Sequence, residues 1–473
     1  MRLRLAALRP PLWAALLALL ACCSACSGGG GDHHPPAGSS GVGDRLFPDA
    51  GNGGYDVTHY GLDLSYDPGS GRLRGTAVIS ATADRELSAF DLDLAGLTVD
   101  KVTVGGRTAG VHRSGTELTV RPATPLARGE RFETTVTYGG VPDLLKDPDG
   151  SHEGWFRTDD GALALGEPVG SMAWFPGNDH PSDKAAYDIT VDVPAGLTVV
   201  SNGELVDRRD SGGRSAFHWR TDAPMATYLA TVAIGHYDIT RSRTPDGVPL
   251  YVAVDPRSAD AATDAAVKRI PEILDWESGL FGPYPFASSG AIVGHLPRGS
   301  VGYALETQNR PVFPGDGAPP ALRTTTLAHE LSHEWFGDSV TPKSWQDMWL
   351  NEGFATYAQW LWQEREGGPS VDESAARAFA DPANWAFPPD APPSAAAVSA
   401  PPVYGRGALV LYELRRALGE RTFAALLRGW PAAHRHGNAS TADFTAFCRE
   451  LSGNDLTALF ATWLHASAKP AHL

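Results

Sequence analysis

From about Tyr55 to Ile239, apolar and polar residues alternate over short stretches. Examples are Tyr60-Gly-Leu-Asp-Leu-Ser-Tyr66, Thr76-Ala-Val-Ile-Ser-Ala-Thr82, Phe132-Glu-Thr-Thr-Val-Thr-Tyr138 and Tyr187-Asp-Ile-Thr-Val-Asp-Val193. A period of two, punctuated by Gly, Pro and Asp, predicts antiparallel strands with one buried face. Their succession predicts a β-sandwich or saddle-like domain over 45–245. Beyond about Asp255 the spacing changes. Val267, Ile270, Ile273 and Leu274 recur at helical intervals within Ala259–Gly279, and 322–337, 350–366, 405–418 and 441–451 also read as helices. Gly290–Leu296 and Tyr303–Phe313 read as strands between them, and the Pro-rich stretch 382–402 as a loop. The order, strands first and helices later, predicts a multidomain chain whose second domain, 246–473, is mainly helical α+β.

The first 26 residues read as a processing segment. Arg2, Arg4 and Arg9 precede the apolar run Leu12–Ala21, and Cys22, Cys23 and Cys26 follow it. That is the layout of a secretory signal, and the run is too short to span a membrane comfortably. Leu19-Leu20-Ala21-Cys22 is similar to a bacterial lipobox, which predicts export and attachment to the cell membrane through Cys22, with Cys26 the weaker candidate. Residues 27–44, rich in Gly, Ser and Pro, read as a flexible tether, and His33-His34 within it as solvated. Cys448 is then the one cysteine of the remaining chain, so no disulfide framework is expected. The formal charge of −16 over 473 residues excludes a basic surface for nucleic acid. Membrane contact is expected through the lipid anchor alone. Asn438-Ala-Ser440 is a glycosylation sequon to which the lipobox leaves no weight.

The candidate chemistry lies in Thr326-Leu-Ala-His329-Glu330-Leu-Ser-His333-Glu334-Trp-Phe-Gly337. His329 and His333 stand at i and i+4, one face of a helix, where two imidazoles reach one ion. Glu330 is placed to contact the ion's water rather than the ion. After eighteen residues comes Trp349-Leu-Asn-Glu352-Gly-Phe-Ala-Thr-Tyr357, whose Glu352 can serve as third ligand. Two His and one Glu leave a fourth position open for water, as catalytic zinc requires.

The pattern H-E-x-x-H, eighteen residues, N-E-G-F-A resembles the signature of the M1 metallopeptidases, the aminopeptidase N and leukotriene A4 hydrolase group. Further segments match in order: Ser171-Met-Ala-Trp-Phe-Pro-Gly-Asn-Asp-His-Pro-Ser-Asp-Lys-Ala185 in the β domain, Gly302-Tyr-Ala-Leu-Glu306-Thr-Gln308 where the family has G-x-M-E-N, and Tyr404-Gly-Arg-Gly407 where it has Y-x-K-G. The resemblance spans about residues 45–470. It implies a thermolysin-like catalytic domain, one zinc per chain, and peptide substrates with a free N-terminus. It implies Tyr404 as oxyanion donor, and Glu306 with Glu167 as the carboxylates that receive the substrate's α-amine. Without the resemblance, Tyr404 reads as packing and both glutamates as ordinary acids.

Three departures bear on these expectations. Thr307 replaces the Asn of G-x-M-E-N, and Gln359 stands where a second Glu often follows N-E-G-F-A-x-Y. Support of the zinc histidines then falls to Asp338, Asp347 or Glu334, among which the sequence does not choose. The sequence also ends at Leu473, short of the large helical C-terminal domain of many members, so a more open site is expected. The leading reading is a zinc aminopeptidase. The alternatives are a zinc endopeptidase, an epoxide hydrolase and a catalytically silent peptide-binding lipoprotein of the same fold.

Overall fold

The computed structural model describes residues 35–297, 299–315 and 322–473. The signal segment with Cys22 and Cys26, and the tether up to residue 34, lie outside the described residues.

The alternating segments form strands as expected. In Tyr55–Asp67 the inward residues Tyr60, Leu62, Leu64 and Tyr66 are buried, and this strand pairs antiparallel with Arg72–Ala83. Lys184–Pro194 runs parallel on one side and Arg131–Gly140 antiparallel on the other, within a sheet of eight strands. A second sheet of five strands includes His152–Arg157, Ala162–Leu165 and Val232–Gly235. Ala162–Leu165 and Val232–Gly235 are buried throughout, so they carry an apolar run instead of alternation. Aromatic rings fill the space between: Tyr66 meets Trp155, which meets Trp174, which meets Phe175. This is the expected β-sandwich or saddle architecture.

The helical part is built on a four-stranded sheet, Asp238–Arg243, Pro249–Val254, Ser289–His295 and Val312–Gly315. Its first strand lies before residue 245 in the chain. Hydrogen bonding, not composition, assigns that strand: Asp238–Arg243 pairs with Pro249–Val254. The expected helix 259–279 is two helices, Ala261–Val267 and Ile270–Phe281, because Pro271 starts a new one. Residues 303–311 are not a strand. Leu305 forms one bridge with Val312, and the chain turns between them. That turn is bonded to the β part instead: Asn202 Nδ2 donates to the Gln308 carbonyl at 2.8 Å and the Gly203 amide to Asn309 Oδ1 at 3.0 Å. Buried Arg310 donates to the Ser201 carbonyl at 2.9 Å.

Two helices carry the candidate site, Thr324–Ser332 and Trp349–Arg365. The second is buried almost all round over its first three turns, with Trp349, Leu350, Phe354, Tyr357 and Trp360 in the core. Polar residues on such a helix need partners. It packs on the helix Gly407–Ala433 through Gly353, where a Cβ would lie 3.0 Å from the Gly407 Cα. A π turn, Pro402–Arg406, precedes that helix, and Gly419 kinks it with φ 75°. Among the described residues no helix is long and apolar enough to cross a membrane. Cys448 is buried and, among the described residues, unpaired.

The end of the expected tether is ordered. Ser39–Ser40 pairs with Asn52–Gly53, and Asp44 is buried. Its carboxylate accepts from the Leu46 amide at 2.7 Å, from Ser344 Oγ and the Trp345 amide at 3.0 Å each, and faces His180 Nε2 at 3.3 Å. These donors are spread over both parts of the fold, which composition does not reveal. Burial alone would raise the Asp44 pKa, but the bonds from His180 and the amides outweigh it and hold it well below the carboxylate range. A depressed folded pKa gives stability that is present above the unfolded value and lost as pH falls toward the folded one. Asp44→Ala is expected to lower unfolding stability by about 2–3 kcal/mol at pH 7, and by less below about pH 4, in urea titrations at both pH values.

Candidate metal centre and cleft

The histidine helix buries Leu327, Ala328 and Leu331 on one side and presents His329 and Glu330 on the other. His333 follows the last helical residue and keeps helical backbone angles, φ −60° and ψ −24°, so the i, i+4 geometry holds. The imidazole centroids are 4.9 Å apart. Glu352 enters from the first turn of the neighbouring helix. Its Oε2 lies 3.2 Å from His329 Nε2 and 3.6 Å from His333 Nε2. Zinc bonds of 2.0–2.2 Å at tetrahedral angles separate ligand atoms by roughly 3.3–3.6 Å. The three side chains thus fit one zinc ion.

Charge supports the same assignment. Glu306, Glu330 and Glu352 are each nearly inaccessible, and Glu167 adjoins them. Burial, then Glu306 and Glu352, raise the pKa of Glu330 well above its usual range. Burial also raises Glu352, against the pull of His333. Burial lowers His329 to about 4, favouring the neutral imidazole that binds metals. Carboxylates this crowded hold their charge only beside a cation.

Each histidine must also be aimed. His333 Nδ1 donates to Asn351 Oδ1, which leaves Nε2 free for the metal. Asn351 Nδ2 in turn donates to Glu306 Oε1 at 2.8 Å. Gly337, at φ 135°, makes room for this amide, since a Cβ there would lie 2.2 Å from Asn351 Oδ1. Asn351 was legible as a neighbour of Glu352 but not as the support of His333. None of the three acids expected in that role takes it. Asp347 accepts from the Thr441 amide and hydroxyl, Glu334 accepts from the Asn309 amide, and the Asp338 carboxylate is buried without a partner among the described residues. Gln359 and Ala355 are the polar neighbours of His329, yet its buried Nδ1 makes no well-formed hydrogen bond.

The remaining site residues line the same cavity of about 470 Å³. Tyr404 faces His329 with ring planes 12° apart and lies beside Glu352. Burial, then Glu352 and Glu167, raise its pKa well above the ordinary phenol value, so it stays a donor at neutral pH. Arg406 anchors its segment, donating from Nε to the Trp463 carbonyl at 2.9 Å. Glu167 arrives from the β part. Burial and adjoining Glu306 raise its pKa. Glu306, buried as well, is nonetheless drawn down by His333, by Asn351 and by its bond with Glu167. All seven residues expected from the sequence therefore line one cleft. Asp147, Asp149, Tyr303, Thr326 and Ser399 line it too, and no sequence signal marked them.

Comparison with known proteins agrees with this geometry. Residues 321–463 match the peptidase family M1 domain and residues 56–229 the peptidase M1 N-terminal domain. Aminopeptidase M1 of Arabidopsis thaliana is 28% identical over 329 residues, 65% of this chain and 37% of the relative. Aminopeptidase N of Streptomyces lividans is 28% identical over 318 residues, 62% of this chain and 36% of the relative. The match thus spans little more than a third of those relatives' length. The crystal structure of the M1 zinc metallopeptidase from Deinococcus radiodurans superposes with a TM-score of 0.83 at 28% identity, covering 91% of this chain and 98% of that one. Variants of such a zinc metallopeptidase have been crystallised with L-arginine and with the substrate Tyr-Ser-Ala. Zinc is the cofactor these likenesses indicate. With both family domains present in order around one His-His-Glu cleft, the chain belongs to peptidase family M1.

Proposed function

We propose that the protein is a zinc-dependent aminopeptidase that removes N-terminal residues from peptides. One observation carries the reading: a His-His-Glu metal triad, a free glutamate and a pair of carboxylates share one cavity. The chemistry supplied by bound zinc is polarisation of a carbonyl and a lowered pKa for water. Glu330 lies beside the ligands without being one of them. It takes a proton from the attacking water and passes it to the leaving amine. The Tyr404 phenol donates to the oxyanion that forms as the carbonyl is attacked. Glu306 and Glu167 receive the substrate's ammonium, which limits cleavage to the first peptide bond. The complex of the similar zinc metallopeptidase with Tyr-Ser-Ala is consistent with peptides as substrates.

Glu330→Gln is expected to retain one zinc by mass spectrometry and lose turnover of aminoacyl-coumarins, whereas His333→Ala loses the metal too. Tyr404→Phe is expected to lower kcat about a hundredfold, the scale of one oxyanion donor. Near-wild-type turnover in Glu330→Gln would remove its role as base.

A free N-terminus brings an ammonium into a desolvated cleft, which is unfavourable unless carboxylates meet it. Wild type is expected to cleave an unblocked peptide far faster than its N-acetyl form, and Glu306→Ala to lose most of that difference. Equal cleavage of both by wild type would make the protein an endopeptidase.

Export and lipid attachment at Cys22 rest on the sequence pattern alone. Mass spectrometry of the mature N-terminus is expected to find a diacylglyceryl-modified cysteine there; an unmodified N-terminus elsewhere would refute the anchor.

A further inference from the structure

The cavity ends on an acidic wall that neither the metal nor the proton transfers use. Asp147 and Asp149 line it together with Glu167, Glu306 and Tyr303, and among the described residues no lysine or arginine does. The aspartates are fixed in place by their own loop. The Asp147 amide donates to the Ser151 carbonyl at 3.0 Å, the Gly150 amide to the Asp147 carbonyl at 2.9 Å, and the Ser151 amide to Asp149 Oδ1 at 2.7 Å. Tyr303 ties the loop to the Glu306 segment, its hydroxyl donating to Ser151 Oγ at 3.4 Å.

An acidic surface loop is usually a solvated one, but Asp147 is only 7% exposed. Its Oδ2 accepts one long bond from Ser151 Oγ at 3.4 Å, and its Oδ1 has no hydrogen-bond partner among the described residues. Neither aspartate forms an ion pair among the described residues. Burial and the neighbouring Asp149 push Asp147 up to about 7, the response of a carboxylate that lacks a cation. A buried carboxylate facing a substrate cavity without its own cation is matched by a cation on the substrate.

The position of the wall identifies that cation. Asp147, Asp149 and Tyr303 line the same cavity as Glu167 and Glu306, so the wall shares its cleft with the ammonium clamp. The first residue's side chain leaves from the carbon that bears the clamped ammonium. Lysine and arginine carry their charge at the end of a long apolar stem. Tyr303, 45% exposed, offers a ring face for such a stem or its charged head.

We infer that Asp147 and Asp149 are specificity-determining residues that select peptides beginning with arginine or lysine. The inference rests on the aminopeptidase reading and names its substrate class. The test compares kcat/KM for arginyl-, lysyl- and norleucyl-aminomethylcoumarin on the zinc-loaded protein, with norleucine supplying the stem without the charge. Wild type is expected to favour the two cationic substrates by at least about tenfold, the worth of one hydrogen bond to a charged group. In Asp147→Asn/Asp149→Asn the arginyl-to-norleucyl ratio is expected to fall roughly tenfold to a hundredfold, and Asp147→Glu to retain more of it than Asp147→Asn. A wild type without cationic preference, or a ratio unchanged in the double variant, overturns the inference. Turnover of none of the three substrates would instead defeat the aminopeptidase reading. Calorimetry of free L-arginine against L-norleucine still reads the subsite in that case. Tighter arginine binding by wild type is expected, and equal binding overturns the inference.

Discussion

Four glutamates converge in one desolvated cleft, and that crowding governs the rest of the site. Glu306, Glu330 and Glu352 are almost inaccessible to solvent, and Glu167 closes the group. A buried carboxylate either takes up a proton or finds a cation. The His329 imidazole does not fill this role, since burial holds it neutral. The cleft therefore calls for cations from outside, and the proposed function supplies two, a metal at His329, His333 and Glu352 and a substrate ammonium at Glu306 and Glu167. Asn351 couples the two sites, because one amide orients His333 and binds Glu306.

The same constraint explains why two structural parts meet here. Glu167 belongs to the β part, whereas the other three glutamates belong to the helical part. Their spacing depends on bonds across the junction. Lys184 Nζ donates to the Asp338 and Ser339 carbonyls at 2.8 and 3.1 Å, just beyond the histidine helix. Asn202, Gly203 and Ser201 hold the turn that follows Glu306. Burial lowers the Lys184 pKa to about 7, so this junction is sensitive to charge as well as shape.

Much of this was legible in the chain. His329 and His333 announce themselves through helical spacing, and Glu352 through the helix that follows. The β part is visible because one face of each long strand is solvated, so alternation survives. Legibility fails where contacts cross the chain. Asn351 acts on a residue eighteen positions away, and Asp147 meets Tyr303 only through Ser151. The stretch 303–311 has strand-like residues, yet its bonds go to the β part, so the turn wins over local propensity. Asp44 lies in a tether-like composition and is held by Ser344 and Trp345, three hundred positions on.

Anomalous diffraction at the zinc absorption edge, from crystals of the zinc-loaded protein, tests the central claim most directly. The account predicts one strong peak about 2.0–2.1 Å from the Nε2 atoms of His329 and His333 and bonded to Glu352, with no metal between Glu306 and Glu167. A peak centred on Glu306, Glu330 and His333, which also lie close enough to hold an ion, or no peak in the cleft at all, would contradict it.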